Sequence, residues 1–370
     1  MKYFIIAGEK SGDLHAGHLA KEIIKKDSAA IIKGWGGGVM EKAGVDLLQN
    51  YDELAFMGLD FIFHFRTIIR LFRKCKSQIE TFNPDVLIVV DYSGFNLRIA
   101  KWAKKKGLKV VYYIAPKTWA WNASRNKTIK NYVDKLLVIL PFEERYFQGK
   151  GIETTYVGNP LVEYVSRFEA SPNFREGLIS ESGKVVALLP GSRKKEIMRS
   201  TMEMRKLARH FPHSLFVVAG ISEIDRHLYD GFQCIPNCLV LIDQTYDLLA
   251  ASDAAIVTSG TATLETALFN IPQVVVYKTN ALTYFIGSRL VKLKYISLVN
   301  LIVDQEAIPE LIQEKFTSAA LKQHLKSLLF DTKKREKQLA YYKELKQNVG
   351  SFKSSEMAAA SIINTFKTEK

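Results

Sequence analysis

The chain has 370 residues and a mass of 41.9 kDa, more than one hydrophobic core usually holds, so we expect two domains. Hydrophobic residues make up 47% and charged residues 24% of the chain, a globular composition that excludes intrinsic disorder. The net charge of +14 favours an anionic partner such as nucleic acid, a lipid surface or a phosphorylated substrate, with a solvated basic face as the alternative.

Short β-branched or aromatic runs alternate with amphipathic stretches along most of the chain. The predicted strands are Tyr3–Ala7, Val86–Asp91, Val110–Ile114, Leu136–Leu140, Val185–Leu189, Leu215–Ala219, Leu239–Ile242, Ala254–Val257 and Val274–Tyr277. Helical patterns such as Leu14–Lys26 and Leu97–Lys106 lie between them. We therefore predict the α/β class, with two Rossmann-like, doubly wound parallel-sheet domains that face a cleft.

Breaks in this pattern predict the domain boundaries. The charged, Pro-containing stretch 166–183 is typical of a linker between the two series of strands. We expect an N-terminal domain at 1–165, a C-terminal domain at 166–345 and a C-terminal helix at 346–370. That helix carries an apolar stripe, which must pack against another part of the protein.

The segment Ala7–His15 joins the first strand to the first helix, and its glycines let the backbone approach a ligand. The glycine spacing matches neither a P-loop nor a dinucleotide fingerprint. Glu9 is a candidate general base, because a carboxylate at a strand end can accept a proton. Ser11 or Asp13 is expected to cap the helix.

Two further loops follow strands of the first half. Asp91 closes one strand, either as a second candidate carboxylate or as a turn-forming residue, and Asn96 is expected to cap the next helix. Trp119 follows another strand. Tryptophans in such loops are more often packing residues, yet an aromatic face also suits a sugar ring or an acyl chain.

Two loops of the second half carry donors that suit phosphate. Ser192 and Arg193 begin a basic helix, where backbone N–H groups and a bidentate cation can bind a diphosphate, although an ordinary βα turn has the same pattern. Glu265 lies in a second helix, within reach of ribose hydroxyls. The phosphate-binding candidates before it are Ser259, Gly260, Thr261, Ala262 and Thr263. A capping box that starts at Thr261 or Ala262 is compatible with ligand binding.

The sequence contains no Asp-x-Asp pair, the usual carboxylate clamp for a divalent ion on a nucleotide diphosphate. We therefore expect neither a metal nor another cofactor. A transferase that acts on a nucleotide diphosphate would instead neutralise its diphosphate leaving group with Arg193 and a helix dipole.

The segment Leu54–Lys76 interleaves apolar residues with arginine and lysine, a pattern that favours a helix lying in a membrane interface. A core-packed helix with a basic outer face is the alternative. The three cysteines fit a reducing compartment, and no run approaches the roughly 18 apolar residues of a membrane span. We expect a cytoplasmic protein, either free or lying on a membrane surface.

Taken together, these motifs resemble those of the lipid-A-disaccharide synthase family. The matching segments occur in family order over nearly the whole chain. They are AGEKSGDLH (7–15), DYSGFNLRIA (91–100), APKTWAW (115–121), LPFE (140–143), VGNP (157–160), LPGSRKKEI (189–197), SGTATLE (259–265), YISLVNLI (295–302) and PELIQ (309–313).

The resemblance implies a GT-B-type glycosyltransferase that binds its acceptor lipid mostly with the N-terminal domain and UDP mostly with the C-terminal domain. The implied reaction transfers 2,3-diacylglucosamine from UDP-2,3-diacylglucosamine to the 6-hydroxyl of 2,3-diacylglucosamine 1-phosphate. Its products are a β-1,6-linked disaccharide 1-phosphate and UDP. In related proteins the C-terminal helix packs back on the N-terminal domain, and a homodimer that swaps this helix is possible. The acylated substrates imply a place on the inner face of the cytoplasmic membrane, and nucleic acid is not an expected partner.

Further site residues follow from the same resemblance. By analogy, Asn300, Glu310 and Gln313 line the nucleotide-sugar site, and we assign Ser11, Asn96 and Trp119 to the sugar and acceptor site.

One residue departs from the family pattern. Many members carry a second Asp in the loop that begins at Asp91, and this chain has Gly94 in that place. Because glycine cannot accept a proton, Glu9 first and Asp91 second are expected as the general base of an inverting displacement. The alternatives are another GT-B UDP-sugar transferase, a UDP-sugar epimerase, or an inactive protein that binds anionic lipid.

Overall fold

The structure is a computed structural model and describes residues 1–51, 65–179, 183–280, 293–351 and 353–367, together with Tyr284 and Arg289. Contacts divide the chain into two units, Met1–Pro160 with Phe352–Lys370, and Leu161–Ser351. The predicted boundaries, after residues 165 and 345, lie a few residues from the observed ones.

The first unit contains a wholly parallel sheet of seven described strands. They are β1 (Lys2–Ala7), β2 (Ile31–Gly36), β3 (Asp46–Asn50), β4 (Val86–Val90), β5 (Lys109–Tyr113), β6 (Lys135–Val138) and β7 (Thr154–Tyr156). Their order across the sheet is β3-β2-β1-β4-β5-β6-β7. The described helices are α1 (Lys10–Lys26), α2 (Gly38–Lys42), α3 (Phe65–Phe82), α4 (Ser93–Lys105), α5 (Arg125–Tyr132) and α6 (Pro141–Gln148).

The second unit repeats this design with six described parallel strands. They are β8 (Lys184–Leu189), β9 (Ser214–Gly220), β10 (Cys238–Ile242), β11 (Ala254–Thr258), β12 (Gln273–Tyr277) and β13 (Glu310–Ile312), in the order β10-β9-β8-β11-β12-β13. The helices are α7 (Pro160–Arg167), which begins at the boundary, α8 (Phe174–Leu178), α9 (Lys194–Arg209), α10 (Asp230–Gln233), α11 (Thr245–Ala251), α12 (Thr261–Leu268), α13 (Leu298–Val303), α14 (Ser318–Phe330) and α15 (Thr332–Val349). The predicted α/β class with two doubly wound parallel sheets is confirmed.

Side chains of the central strands alternate between the two faces of each sheet, as the pleat requires. In β1, Tyr3 and Ile5 pack against α1 and α2, whereas Phe4 and Ile6 pack against α3 to α6 on the other face. All four side chains are completely buried. Continuous burial explains why β1 is an unbroken apolar run in the sequence.

The C-terminal helix, α16 (Ser354–Lys367), completes one face of the first sheet. Ala358, Ile362 and Phe366 lie in the same core cluster as Tyr3 and Ile5. The hydroxyl of Ser354 donates a 2.9 Å hydrogen bond to the carbonyl of Gly158. The apolar stripe of the tail is therefore buried in the first unit.

The linker prediction for residues 166–183 is wrong for the described residues of that stretch. It contains the end of α7 and all of α8, and Arg175 forms a 2.8 Å ion pair with Asp253. The backbone N–H of Ser171 also donates to Asp247 at 2.7 Å. A partly buried ion pair and an exposed hydrogen bond thus fasten this stretch to the rest of the second unit.

The described part of the segment Leu54–Lys76 is residues 65–76, the first two thirds of α3. Ile68, Leu71 and Cys75 are buried in the core, while Arg70 and Arg73 are exposed. This is the core-packed helix with a basic outer face, the alternative interpretation; residues 54–64 lie outside the described residues. No helix in the described ranges is long and apolar enough to span a membrane.

Asp13 joins two elements of the first unit instead of capping its own helix. Helix α1 begins at Lys10, so Asp13 lies in the first turn, where its buried carboxylate accepts hydrogen bonds from three backbone N–H groups of the α2 region. The donors are Gly37 at 2.7 Å, Val39 at 3.1 Å and Met40 at 3.2 Å.

We expect Asp13→Ala to lower the free energy of unfolding of the first unit by about 3 kcal/mol, because it leaves buried N–H groups without an acceptor. Urea unfolding measures the change. The matched control is Asp46→Ala, which removes an ion pair between partly exposed side chains (Lys33 Nζ–Asp46 Oδ2, 2.7 Å) and should cost less than about 1 kcal/mol. Equal losses in the two variants would contradict this role for Asp13.

Candidate functional site

The first group of candidate residues lies at the point in the first sheet where the helices that follow the strands change from one face to the other. We call such a point a winding reversal. Strands β1 and β4 are neighbours, but β1 leads into α1 on one face and β4 leads into α4 on the other. Such a reversal leaves a crevice at the carboxyl ends of the two strands. Glu9 follows β1 and Asp91 follows β4, so the fold brings both candidate bases to this point.

The turn at Asp91 has an unusual backbone. Asp91 and Tyr92 have φ angles of 46° and 41°, and Ile114, after the adjacent strand β5, has φ of 62°. Left-handed conformations of residues other than glycine are costly and often occur at functional sites. Three such residues at two neighbouring strand ends mark this edge of the sheet.

Asn96 stabilises this turn through hydrogen bonds of its side chain. Its amide donates to the carbonyls of Val90 at 3.0 Å and Asp91 at 2.8 Å, and the Tyr112 hydroxyl donates to the Asp91 carbonyl at 2.6 Å. Helix α4 begins at Ser93 and Asn96 is completely buried, so the predicted helix cap is wrong. Burial also makes Asn96 a support for the loop and not a residue that lines a sugar site.

Asp91 has the electrostatic environment of a proton acceptor. Burial, followed by the nearby charge of Glu9, raises the pKa of Asp91 to about 6, while Lys117 and the N–H of Tyr92 act in the opposite direction. Glu9 itself is exposed and accepts a 2.9 Å hydrogen bond from Ser11. Ser11 therefore contacts a candidate base and does not cap α1, whose N-cap residue is Glu9.

Two glycines beside these carboxylates have different roles. A Cβ atom at Gly8 would lie 2.2 Å from a ring atom of Tyr92, so the aromatic ring requires glycine there. At Gly94 nothing lies within 4 Å of the corresponding position, and the residue is exposed. The Cβ atom of another residue would therefore meet no steric hindrance at this position.

Trp119 is held by a buried carboxylate that the sequence analysis did not assign to the site. Its indole N–H donates to Glu143 at 2.8 Å, and its ring meets Phe142 edge-on. Glu143 also accepts from the N–H groups of Ile139 and Leu140. Burial raises the pKa of Glu143 to about 7, against the opposing effect of these donors. The sequence signal that could have identified Glu143 as a site residue is its place in the LPFE motif, directly after a strand.

The second group of candidates lies at the corresponding reversal in the second sheet. Strands β8 and β11 are neighbours, and α9 packs on one face of the sheet while α12 packs on the other. Arg193 is the N-cap residue of α9, and its side chain is 82% exposed. Glu196 accepts from the N–H of Ser192 and the guanidinium of Arg193, both at 3.2 Å.

Gly260 is the N-cap residue of α12, and Thr261 begins the helix. The predicted capping box at Thr261 or Ala262 is therefore wrong. Thr263 is buried and donates to the carbonyl of Gly260 at 2.9 Å, and Ser259 donates to the carbonyl of Ile296 at 2.9 Å. The two hydroxyls shape the loop, and the N–H of Thr263 donates to the carbonyl of Gly260 at 3.3 Å. The backbone N–H groups of residues 260–262 are therefore the candidate donors to an anion.

Glu265 lies one turn further along α12 and bonds to Tyr246. The tyrosine hydroxyl donates at 2.7 Å, and burial raises the pKa of Glu265 against this donor. Tyr246 packs edge-on against Phe168 and Phe269. An aromatic cluster thus fixes the carboxyl group of Glu265 next to the phosphate-binding candidates.

Asn300, Glu310 and Gln313, which the resemblance assigns to the nucleotide-sugar site, form hydrogen bonds that hold loops of the second unit together. Asn300 is completely buried; its amide donates to Ile308 and Glu310, and its oxygen accepts two backbone N–H groups. Glu310 accepts from the N–H groups of Ile296 and Ser297, both at 2.9 Å.

Gln313 is buried, and both polar atoms of its side chain form hydrogen bonds with the loop after β12. Its oxygen accepts from the N–H of Thr279 at 2.8 Å, and its amide donates to the carbonyl of the same residue at 3.3 Å. The segment that bonds to Ser259 and the loop after β12 are therefore fixed by internal hydrogen bonds.

Comparison with known proteins identifies relatives over the full chain. A family model described as lipid-A-disaccharide synthetase matches residues 3–363. The lipid-A-disaccharide synthase of Geobacter metallireducens is 36% identical over 377 residues, covering 98% of this chain and 96% of that protein. The enzyme of the same name from Nitrosococcus oceani is 37% identical over 356 residues, covering 94% and 92%.

Solved structures share the architecture at low identity. A UDP-GlcNAc 2-epimerase from Neisseria meningitidis bound to UDP-GlcNAc has a TM-score of 0.69 at 11% identity, covering 98% of this chain and all of that one (100%). The glycotransferase of kitacinnamycin has a TM-score of 0.68 at 13% identity, with 99% of each chain covered. These likenesses show that the two units form a fold of the GT-B type.

Proposed function

Because the chain belongs to the lipid-A-disaccharide synthase family, and is thus a glycosyltransferase of lipid A biosynthesis, we propose its substrates and the roles of its residues. The donor is UDP-2,3-diacylglucosamine, and the acceptor is 2,3-diacylglucosamine 1-phosphate. The reaction inverts the anomeric centre, forms a β-1,6 linkage and releases UDP. No metal or other cofactor takes part.

The observation that carries this proposal is the position of Arg193. Its exposed guanidinium lies at the start of α9, at the same winding reversal as the N-terminus of α12. Two helix N-termini and a cation favour a diphosphate and stabilise the negative charge that develops as UDP leaves. Glu265, fixed by Tyr246, accepts the ribose hydroxyls of the nucleotide.

UDP as the nucleotide has independent support from the fold. Solved proteins that share it include the Neisseria meningitidis epimerase bound to UDP-GlcNAc. The epimerase reaction is disfavoured for this chain because the match to the synthase family covers residues 3–363.

Asp91 is the better of the two candidate bases, which reverses the order expected from the sequence. A general base works best when its pKa lies near the working pH, and burial beside Glu9 raises the pKa of Asp91 to about 6. Asp91 accepts the proton of the acceptor 6-hydroxyl, whose oxygen then attacks the anomeric carbon. Glu9 acts through its charge on Asp91.

The acyl chains of both substrates place the reaction at a lipid surface. We propose that the protein is cytoplasmic and binds the inner face of the cytoplasmic membrane, which the net charge of +14 supports. Trp119 and Ser11 lie at the first unit's strand ends and border the acceptor site.

We expect Arg193→Ala to lower kcat/KM by about 10²–10³, since one preorganised donor to a leaving group contributes on that scale. UDP release in detergent-dispersed substrates is the measurement. Arg209→Ala, at the other end of the same helix, is the control and should keep the rate of the native protein. Near-native turnover by the Arg193 variant would exclude this residue from the diphosphate site.

The pH dependence of kcat tests the base. With the pKa of Asp91 at about 6, the rate should fall as pH drops through 6, because the carboxylate then gains a proton. Glu9→Gln removes a charge that raises this pKa, so the midpoint should move to lower pH. Asp91→Asn should lower kcat by about 10²–10⁴. A Glu9→Gln variant with no turnover beside an active Asp91→Asn variant would reverse the roles.

Metal removal should leave the rate unchanged, because the proposed charge neutralisation comes from Arg193 and helix N-termini. Turnover is compared before and after dialysis against EDTA, with Mg²⁺ added back as the control. Loss of activity that Mg²⁺ restores would contradict the metal-independent mechanism.

A further inference from the structure

One face of helix α9 is directed away from the core of the second unit and carries both basic and apolar side chains. Met198 and Met202, four positions apart and so on one side of the helix, are 59% and 47% exposed. Ile197 and Leu207, on the opposite side, are buried in the core. The exposed residues of α9 are Lys194, Lys195, Met198, Met202, Lys206 and Arg209. At 100° per residue they fall within a single arc.

The two carboxylates of α9 lie off this arc. Glu203 is nearly buried and accepts from Lys206 at 2.8 Å and from the N–H of Ser318 at 2.7 Å. Glu196 is bound to Ser192 and Arg193 at the start of the helix. The arc therefore contains no acidic residue of α9, and of its basic residues Lys206 alone is described as paired with Glu203.

Helix α14 extends the same surface. It packs beside α9 on the same face of the second sheet, and its sequence contains no Asp or Glu. Lys322 and Lys326 are exposed, and Phe330, one turn further, is 62% exposed. We call nine exposed basic or large apolar residues of the two helices the α9–α14 face. They are Lys194, Lys195, Met198, Met202, Lys206 and Arg209 of α9, with Lys322, Lys326 and Phe330 of α14.

The composition of this face indicates its partner. Single exposed apolar side chains are ordinary, but here three large ones stand among six basic residues on one layer of helices. Basic side chains are attracted to anionic headgroups, and methionine and phenylalanine can enter the interface between headgroups and acyl chains. We propose that the second unit binds an anionic bilayer through the α9–α14 face.

The proposal rests on the proposed function in one respect. The N-cap residue of α9 is Arg193, at the proposed diphosphate site, so the exposed face of the helix starts within one turn of that site. A donor with acyl chains left in the bilayer could then present its UDP group at the start of the same helix. The α9–α14 face thus brings the enzyme to a donor that is held in the bilayer. It takes no part in the chemistry of transfer.

Vesicle co-sedimentation of the full-length protein tests the face. The charge variant is Lys195→Glu/Arg209→Glu/Lys322→Glu. The control variant is Lys333→Glu/Lys337→Glu/Lys343→Glu, which makes the same change of charge at exposed positions of α15 in the same unit. A second variant, Met198→Gln/Met202→Gln, changes the apolar part without changing the charge. The vesicles contain phosphatidylglycerol and phosphatidylethanolamine, or phosphatidylcholine alone.

The proposal predicts that the native protein and the control variant sediment with phosphatidylglycerol vesicles and bind phosphatidylcholine vesicles weakly. The charge variant should bind the anionic vesicles at least tenfold more weakly, and the methionine variant should bind them several-fold more weakly. Equal binding by the charge and control variants would overturn the proposal. A methionine variant that alters the sedimentation velocity instead of vesicle binding would also overturn it, by assigning the face to a second copy of the chain.

Turnover in detergent separates this proposal from the proposed function. The charge variant should keep the kcat of the native protein on detergent-dispersed substrates, because its substitutions leave Arg193 and Asp91 in place. If the native protein failed to turn over those substrates, the proposed function would fail while the vesicle result would still decide the face.

Discussion

The feature on which the rest of the structure depends is the reversal of winding in each parallel sheet. Where β1 meets β4, and again where β8 meets β11, the following helices leave toward opposite faces, so the carboxyl ends of the two strands stay uncovered. Glu9 and Asp91 lie at the first of these points, and Arg193 and Gly260 lie at the second. Helix N-termini bring positive potential to such a point without any metal, which suits a diphosphate leaving group.

The polar residues of the motifs divide into those that can meet a substrate and those that hold the loops. Arg193 is exposed and Asp91 is partly buried at a strand end, whereas Asn96 and Asn300 are completely buried and bonded to backbone carbonyl or N–H groups. An amide side chain in a motif can thus be required because it fixes a backbone that would otherwise not adopt its shape. The left-handed turn at Asp91, held by Asn96 and Tyr112, is the clearest case in this chain.

Most of the fold follows from the sequence because buried parallel strands are continuous apolar runs. The nine predicted strands all occur, and three of the four described strands that were missed have a physical reason. β2 is interrupted by Lys33 and Gly34, while β7 and β13 have three residues each. Helices α1 and α4 begin four residues earlier than predicted, because their N-cap residues, Glu9 and Tyr92, make no side-chain cap. For the site, sequence motifs located the loops, but burial and hydrogen bonding, which require tertiary structure, decided the roles of Asn96, Glu143 and Asn300.

The central claim is that UDP binds at the winding reversal of the second sheet, between the starts of α9 and α12. A crystal structure of the protein with UDP, grown in the presence of Mg²⁺, tests it most directly. The account predicts diphosphate oxygens within hydrogen-bond distance of the Arg193 guanidinium and of backbone N–H groups at residues 260–262, with the ribose at Glu265. A diphosphate bound elsewhere, or bridged to the protein by Mg²⁺, would contradict it.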